Sequence, residues 1–219
     1  AMVRGGGQLG PAWHDAGRLA KRVNAINDFI ACCEFLIRER WCDAERLGAI
    51  GGSAGGTIVA AAMLRRPELF RSVVLAVPFV DCLSTMLDKS LPLTTEEYDE
   101  WGNPSASATD YRIIKAYSPL DNVPSAEAVE EAGTIFPHTL IDSSWNDTRV
   151  GVHEPAAFGA ALRASWGPSE AAGRVLLHHC NFKAGHTGET SRYDEARNAA
   201  RIDVFVMGSL GVSMNLARD

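Results

Sequence analysis

The sequence has no long apolar run and no excess of positive charge. None of its apolar segments approaches the roughly 18 residues that a membrane span requires, so we expect no membrane partner. It carries 21 Lys and Arg against 27 Asp and Glu, a net charge of -6. An acidic balance gives no electrostatic basis for binding nucleic acid. The composition therefore directs attention to an enzyme or a protein-binding domain.

Cysteine is scarce and unevenly placed. The five cysteines are odd in number, and Cys32 and Cys33 are adjacent, which is not the pattern of a disulfide framework. The N-terminal segment lacks the features of a signal peptide. His and Cys spacings do not resemble a zinc site. We expect a reducing, cytoplasmic compartment and neither a metal nor an organic cofactor.

The composition that is present, 46% hydrophobic and 22% charged over 219 residues, is that of one globular domain. Apolar positions predict a helix that starts at an Asn24 N-cap, with Cys33 as a core residue. The rest of the chain adds predicted strands at 46–50, 72–77, 138–143 and 174–179, and predicted helices at 57–64, 154–166 and 193–207. This alternation favours an α/β fold with a mostly parallel sheet.

One segment interrupts the alternation. Residues 78–124 are long and polar, with an acidic cluster at 96–100 and several aromatic residues. Long insertions in compact domains are usually functional or disordered, and the aromatic content argues against disorder.

Ser53 lies between a predicted strand and a predicted helix, in the run Gly51-Gly52-Ser53-Ala54-Gly55-Gly56. This is the nucleophile-elbow pattern of α/β-hydrolases. We expect a strained turn that presents the serine hydroxyl, and close packing of helix and strand at Gly51 and Gly55. The alternative is a flexible glycine-rich loop.

Asp147 and His186 follow later predicted strands, in the chain order Ser, Asp, His of those hydrolases. In open α/β sheets, sites gather at the carboxyl ends of the strands. Taken alone, Asp147 is by default a turn residue, and His186 is by default a solvated loop tip. Three competing histidines, His138, His178 and His179, fall within predicted strands, where packing roles are expected.

Several further motifs make the sequence recognisable. It resembles the catalytic domain of the prolyl oligopeptidase family of serine peptidases, and within that family its oligopeptidase B group. The resemblance covers nearly the whole chain, including the elbow and the segments at 4–10, 27–31, 77–81, 92–95, 100–104, 117–123, 147–150, 154–155 and 184–186.

The resemblance implies an α/β-hydrolase fold with helices on both faces of the sheet. It also implies Ser53 as nucleophile, Asp147 as orienting carboxylate and His186 as base. The backbone N–H of Ala54 becomes an oxyanion donor, and Arg149 becomes a residue that holds a substrate carbonyl.

Oligopeptidase B enzymes cleave after Arg or Lys, using two acidic residues near the pocket for the basic side chain. By motif position these are Glu97 and Asp99, and two carboxylates can bind a guanidinium by charge-assisted hydrogen bonds. Short basic peptides are the implied substrates. Without the resemblance, the favoured interpretation of the run at 96–100 is a solvated acidic face.

The sequence departs from the family pattern in several ways. Gly52 stands where arginine is usual in the group, Asp99 where glutamate is usual and Glu96 where glycine is usual. The family's N-terminal β-propeller and the first strands of its sheet have no counterpart here. We therefore expect residues 1–219 to be a partial catalytic domain that pairs with a missing N-terminal half or another chain.

Three functions stay open at this point. The first is a serine endopeptidase acting on Arg and Lys bonds. The second is a generic esterase or acylaminoacyl peptidase, in which Glu97 and Asp99 have no role. The third is a catalytically silent domain that binds another chain.

Overall fold

The computed structural model describes residues 1–188 and 191–212, and the strands in these residues form one parallel sheet. Its strands, adjacent in chain order, are β1 (Gly48–Gly52), β2 (Ser72–Ala76), β3 (His138–Ser144) and β4 (Leu176–Asn181). Gly52 pairs with Ala76, and Ala76 pairs with Asp142. The carboxyl ends of the strands therefore share one edge, where the loops that follow them meet.

Helices connect and cover the strands. They are α1 (Pro11–Asp15), α2 (Arg22–Arg38), α3 (Ala54–Arg65), α4 (Cys82–Leu87), α5 (Tyr98–Trp101), α6 (Ala108–Lys115), α7 (Ala126–Ala132), α8 (His153–Ala164), α9 (Gly167–Ala171) and α10 (Arg192–Ser209). Short 3-10 turns lie at Leu19–Lys21, Ala44–Arg46, Pro67–Leu69 and Leu120–Asn122.

The main core lies on the face of the sheet that carries Val73, Leu75 and Ile141, all fully buried. Helix α3 packs here because its small residues permit close approach, and its Met63 accepts a weak hydrogen bond from Thr139 of β3. Helix α8 packs against the same face, where Gly159 lies beside Ile141.

The opposite face is covered by α10. Ser209 of α10 donates to Ser72 of β2 over 2.7 Å, and Arg201 forms an ion pair with Asp142 of β3 at 2.9 Å. Helices therefore lie on both faces of the sheet, as the sequence predicts.

The predicted elements are confirmed in type, with shifts at their ends. The strand predicted at 46–50 begins two residues later, and the strand predicted at 174–179 runs to Asn181. The predicted N-cap at Asn24 is wrong. The 3-10 turn before Arg22 has already directed the chain into α2, and the Asn24 side chain donates instead to the carbonyl of Ala16. Cys33 is buried, as predicted.

Within residues 1–188 and 191–212, no helix has the length and apolar character needed to cross a membrane.

Candidate active site

Ser53 occupies the turn between β1 and α3, with backbone angles φ 50° and ψ -124°. A positive φ is strained for a residue with a Cβ and persists only where the surroundings hold it. Here the Ser53 N–H donates to the carbonyl of Ala76, and the Ser53 carbonyl accepts from the N–H groups of Gly56 and Phe79. The turn between these elements is thus the expected elbow.

Two glycines make the elbow sterically possible. A Cβ on Gly51 would lie 2.4 Å from the carbonyl oxygen of Gly55, and a Cβ on Gly56 would lie 2.6 Å from the Cβ of Pro78. Strand and helix therefore approach closely at Gly51 and Gly55, as expected, and the approach excludes a Cβ on Gly51. Among the described residues nothing lies within 4 Å of a Cβ built on Gly55, so on the helix a Cβ is excluded at Gly56 and not at Gly55.

Asp147 is held by the loop that follows β3. Its Oδ1 accepts hydrogen bonds from the N–H groups of Arg149 and Val150, at 2.8 and 2.9 Å. Its side chain is only 1% exposed. These contacts fix one carboxylate oxygen to the backbone and direct the other, Oδ2, towards His186.

His186 sits in a tight turn after β4. The N–H of Gly188 donates to the carbonyl of Gly185, and Gly188 has φ 87°, which favours glycine. The N–H of Asn146 donates to the carbonyl of Ala184, so the loops that carry Asp147 and His186 are tied together.

The three side chains form one hydrogen-bonded series. His186 Nδ1 lies 2.7 Å from Asp147 Oδ2, and His186 Nε2 lies 3.1 Å from Ser53 Oγ. In this geometry an imidazole can accept the serine proton while the carboxylate fixes its tautomer and stabilises the imidazolium. Residues far apart in sequence are thus brought to one edge of the sheet.

The competing histidines have other partners. His178 lies 2.9 Å from the hydroxyl of Ser143 and His179 lies 2.7 Å from the carboxylate of Asp142. Burial lowers the pKa of His178 and of His138. Their roles are in packing and strand contacts, as expected for histidines within strands.

A cavity of about 180 Å³ opens beside Ser53. One wall is the segment 85–101 of the long insertion, and the opposite wall is the loop and helix start at 147–154. Ala54 and Arg149 are both among its lining residues. Ala54 is the first residue of α3, where N–H groups have no carbonyl partner one turn earlier and are available to a developing oxyanion.

The acidic side chains of the cluster at 96–100 have three different environments. Glu97 lines the cavity, whereas Glu100 pairs with Arg22 and His14. Glu96 and Asp99 are exposed to solvent. Asp99 lies outside the described lining of the cavity, so the expected pair of pocket carboxylates is reduced to Glu97 alone in this conformation.

Sequence reasoning missed Glu154, a buried carboxylate in the cavity wall. It is 1% exposed and accepts hydrogen bonds from the N–H groups of Val80 and Asp81 and from the hydroxyl of Thr85. Burial raises its pKa. Because both carboxylate oxygens have partners, Glu154 joins α8 to the long insertion and shapes the cavity.

In the part of the chain that the structure describes, His, Cys, Asp and Glu side chains form no group of three or more that could hold a metal ion.

A serine on a strained strand-to-helix turn of a parallel sheet, hydrogen-bonded to a histidine and an aspartate from later loops, defines an α/β-hydrolase fold. The chain belongs to the prolyl oligopeptidase family, whose model matches residues 1–213.

Similar proteins agree with this assignment. The chain is 41% identical to Protease 2 from Moraxella lacunata over 97% of its length, and 37% identical to dipeptidyl aminopeptidase BI from Pseudoxanthomonas mexicana over 97%. The structure of oligopeptidase B from Leishmania major matches 98% of the chain, with a TM-score of 0.86 and 33% identity. The chain covers 29%, 28% and 28% of these three proteins, respectively, so it spans less than a third of their length.

Proposed function

We propose that this chain carries the catalytic site of a serine endopeptidase of the oligopeptidase B type, which hydrolyses peptide bonds after Arg or Lys in short peptides. The observation that supports this most strongly is the series Ser53–His186–Asp147 beside a cavity that contains Glu97. Membership of the prolyl oligopeptidase family supports the same reaction class.

In the proposed reaction, Ser53 Oγ attacks the carbonyl carbon of the scissile bond while His186 Nε2 accepts its proton. Asp147 stabilises the imidazolium that forms. The negative charge on the carbonyl oxygen develops beside the N–H of Ala54, at the positive end of α3. His186 then protonates the leaving amine, and water hydrolyses the acyl-enzyme by the same steps in reverse order.

Specificity for a basic residue rests on Glu97. A guanidinium in the cavity can form a charge-assisted hydrogen bond with its carboxylate, a contact that contributes about 1.5–3 kcal/mol. Arg149 also lines the cavity, and we expect it to bind a substrate carbonyl. Asp99 contributes from the surface as a more distant negative charge, so its effect is expected to be smaller.

The test compares two peptide reporters that differ only in the residue before the cleaved bond, arginine or norleucine. The wild-type chain should prefer the arginyl reporter. Glu97→Gln keeps the size of the side chain and removes its charge, and should lower kcat/KM for the arginyl reporter by about 10- to 100-fold. Asp99→Asn is the matched control, with a smaller loss.

The alternatives predict different results. An esterase or acylaminoacyl peptidase would show no arginyl preference and no effect of Glu97→Gln. A silent domain would cleave neither reporter. Equal losses in Glu97→Gln and Asp99→Asn would mean that both carboxylates enter the pocket when substrate binds, as the family pattern implies.

A further inference from the structure

A continuous line of side chains connects the N-terminal helices to the carboxylate in the cavity. It starts at His14 of α1, passes through Glu100 and Arg22, and reaches Glu97 through Trp101. The peptidase chemistry described above leaves Trp101, Arg22, Glu100 and His14 without a role.

The contact nearest the cavity is between Trp101 and Glu97. The indole Nε1 of Trp101 donates to Glu97 Oε2 over 2.8 Å, one helical turn further along the chain. A tryptophan N–H is a donor only, so the Glu97 oxygen is the acceptor in this contact. It occupies one oxygen of Glu97 and leaves the other for a ligand in the cavity.

The Trp101 ring is itself held from two sides. Its side chain is 3% exposed, and Phe79 meets it edge to face with ring centroids 4.8 Å apart. The guanidinium carbon of Arg22 lies 3.8 Å from the centre of the ring. Stacking of a buried guanidinium on an indole is a favourable cation–π contact that fixes the plane of the ring.

Arg22 is in turn fixed by Glu100. The guanidinium donates to Glu100 Oε1 over 2.7 Å, and Glu100 Oε2 lies 2.8 Å from His14 Nε2. Arg22 is 4% exposed and Glu100 is partly exposed, so the buried guanidinium is held by a carboxylate at the edge of the solvent. Arg22 therefore has little freedom to leave the Trp101 ring.

We propose that Trp101 is a positioning residue that fixes the direction of the Glu97 carboxylate, and that Arg22 holds Trp101 in place for this purpose. The proposal rests on the proposed function, since it concerns the carboxylate that selects the basic substrate. In this arrangement part of the specificity for Arg and Lys is set by Trp101, which lines the cavity beside Glu97, and by the buried Arg22 that holds it.

The test uses Trp101→Phe in the full 219-residue chain. Phenylalanine keeps an aromatic ring between Phe79 and Arg22 and removes the indole N–H. We expect KM for the arginyl reporter to rise about 3- to 10-fold, the effect of one hydrogen bond, with kcat nearly unchanged. The norleucyl reporter should be unaffected, so the preference for arginine narrows.

Trp166→Phe is the matched control. Trp166 is also buried, its Nε1 lies 3.4 Å from the carbonyl of Arg174, and its ring stacks on Phe136 away from the cavity. Trp166→Phe should leave the ratio of the two reporters at the wild-type value. Arg22→Lys keeps the positive charge and removes the planar group that contacts the Trp101 ring. Like Trp101→Phe, it should lower the preference for the arginyl over the norleucyl reporter, although Trp101 is intact.

Glu97→Gln separates this inference from the proposed function. If Glu97→Gln lowers the arginine preference while Trp101→Phe and Arg22→Lys do not, the positioning role is wrong and the proposed function stands. If Glu97→Gln has no effect, the pocket assignment is wrong and the positioning role is wrong with it. If Trp101→Phe lowers the activity on both reporters by the same factor, the indole has only a structural role, and this result would also overturn the inference.

Discussion

Single residues in this molecule hold conformations and charges that an isolated chain would avoid. Ser53 has a backbone conformation that costs about 1–3 kcal/mol. Its N–H and carbonyl are both hydrogen-bonded to neighbouring segments, so the surrounding fold maintains the strain. The consequence is a hydroxyl presented to His186 instead of one buried along the first turn of α3.

Glu154 gives a stability prediction at this scale. Burial raises its pKa, so the folded chain keeps this proton to a higher pH than the unfolded chain does. The free energy of unfolding should therefore fall as the pH rises from the pKa of Glu154 in the unfolded chain through its pKa in the folded chain. In Glu154→Gln the amide oxygen can accept from Val80 and Asp81 and the amide NH₂ can donate to Thr85. The variant should unfold at a higher temperature than wild type at pH 7.5.

Thermal unfolding measured between pH 4 and pH 8 checks this prediction. The advantage of Glu154→Gln should shrink as the pH is lowered towards 4, where the wild-type carboxyl is mostly protonated in both the folded and the unfolded state. Glu130→Gln, an exposed site on α7, is the control and should track wild type throughout. A Glu154→Gln variant that is less stable than wild type at pH 7.5 would contradict the account.

The sequence predicted part of the site at this scale. The Ser, Asp, His order and the strand ends made Ser53, Asp147 and His186 candidates, and the family resemblance assigned their roles. The separation of Glu97 from Asp99 was not predictable from a one-residue spacing, because it depends on which side of a short helix faces the cavity. Glu154 was missed because a glutamate in sequence carries no sign of its burial.

At the scale of elements, α3 packs closely against the segment that follows β2. Gly56 lies where a Cβ would meet Pro78, whereas Gly55 faces open space among the described residues. The two glycines are neighbours in the same helical turn, so they provide a matched pair of sites.

We predict opposite effects of alanine at these positions. Gly56→Ala should destabilise the chain by about 1–3 kcal/mol, the usual cost of overpacking, and should disturb the elbow. Gly55→Ala should be neutral or stabilising by up to about 1 kcal/mol, since alanine is the better helix former. Urea denaturation of both variants measures this difference. Equal destabilisation by the two substitutions would mean that helix packing at the elbow has been wrongly assigned.

The long insertion at residues 78–124 was predicted only in part. Its length and aromatic content indicated a functional segment, and in the structure residues 85–101 form one wall of the cavity. Its short helices were not predicted, because α4 and α5 are too brief to show a helical period. The prediction of an N-cap at Asn24 was wrong for a related reason, because the 3-10 turn before α2 has no distinct sequence signal.

At the scale of the whole molecule, the two faces of the sheet are covered differently. Helices α2, α3 and α8 bury one face, whereas in the described residues α10 covers the centre of the other. Ile50 of β1 and Leu177 of β4, which point to that second face, stay 59% and 47% exposed. The parallel order of the sheet followed from the alternation of strands and helices. The extent to which helices cover its second face could not be predicted, because the pattern of one strand does not reveal which elements pack against it.

The ion pair between α10 and β3 gives a prediction at this scale. Arg201 donates to both carboxylate oxygens of Asp142, at 3.1 and 2.9 Å, and Asp142 is buried. A double-mutant cycle with Asp142→Asn and Arg201→Gln, followed by urea denaturation, should give a coupling energy of about 1–2 kcal/mol. A cycle in which the single effects simply add would show that α10 is held by its Ser72–Ser209 contact and apolar packing instead.

The central claim is that Ser53, His186 and Asp147 form a working site in this chain. The most direct measurement is covalent labelling of the purified 219-residue protein by a fluorophosphonate, with the modified residue located by mass spectrometry. Labelling should occur at Ser53, should disappear in Ser53→Ala, and should be slowed by orders of magnitude in His186→Gln. A folded wild-type chain that fails to react, or that reacts equally well without His186, would contradict the account.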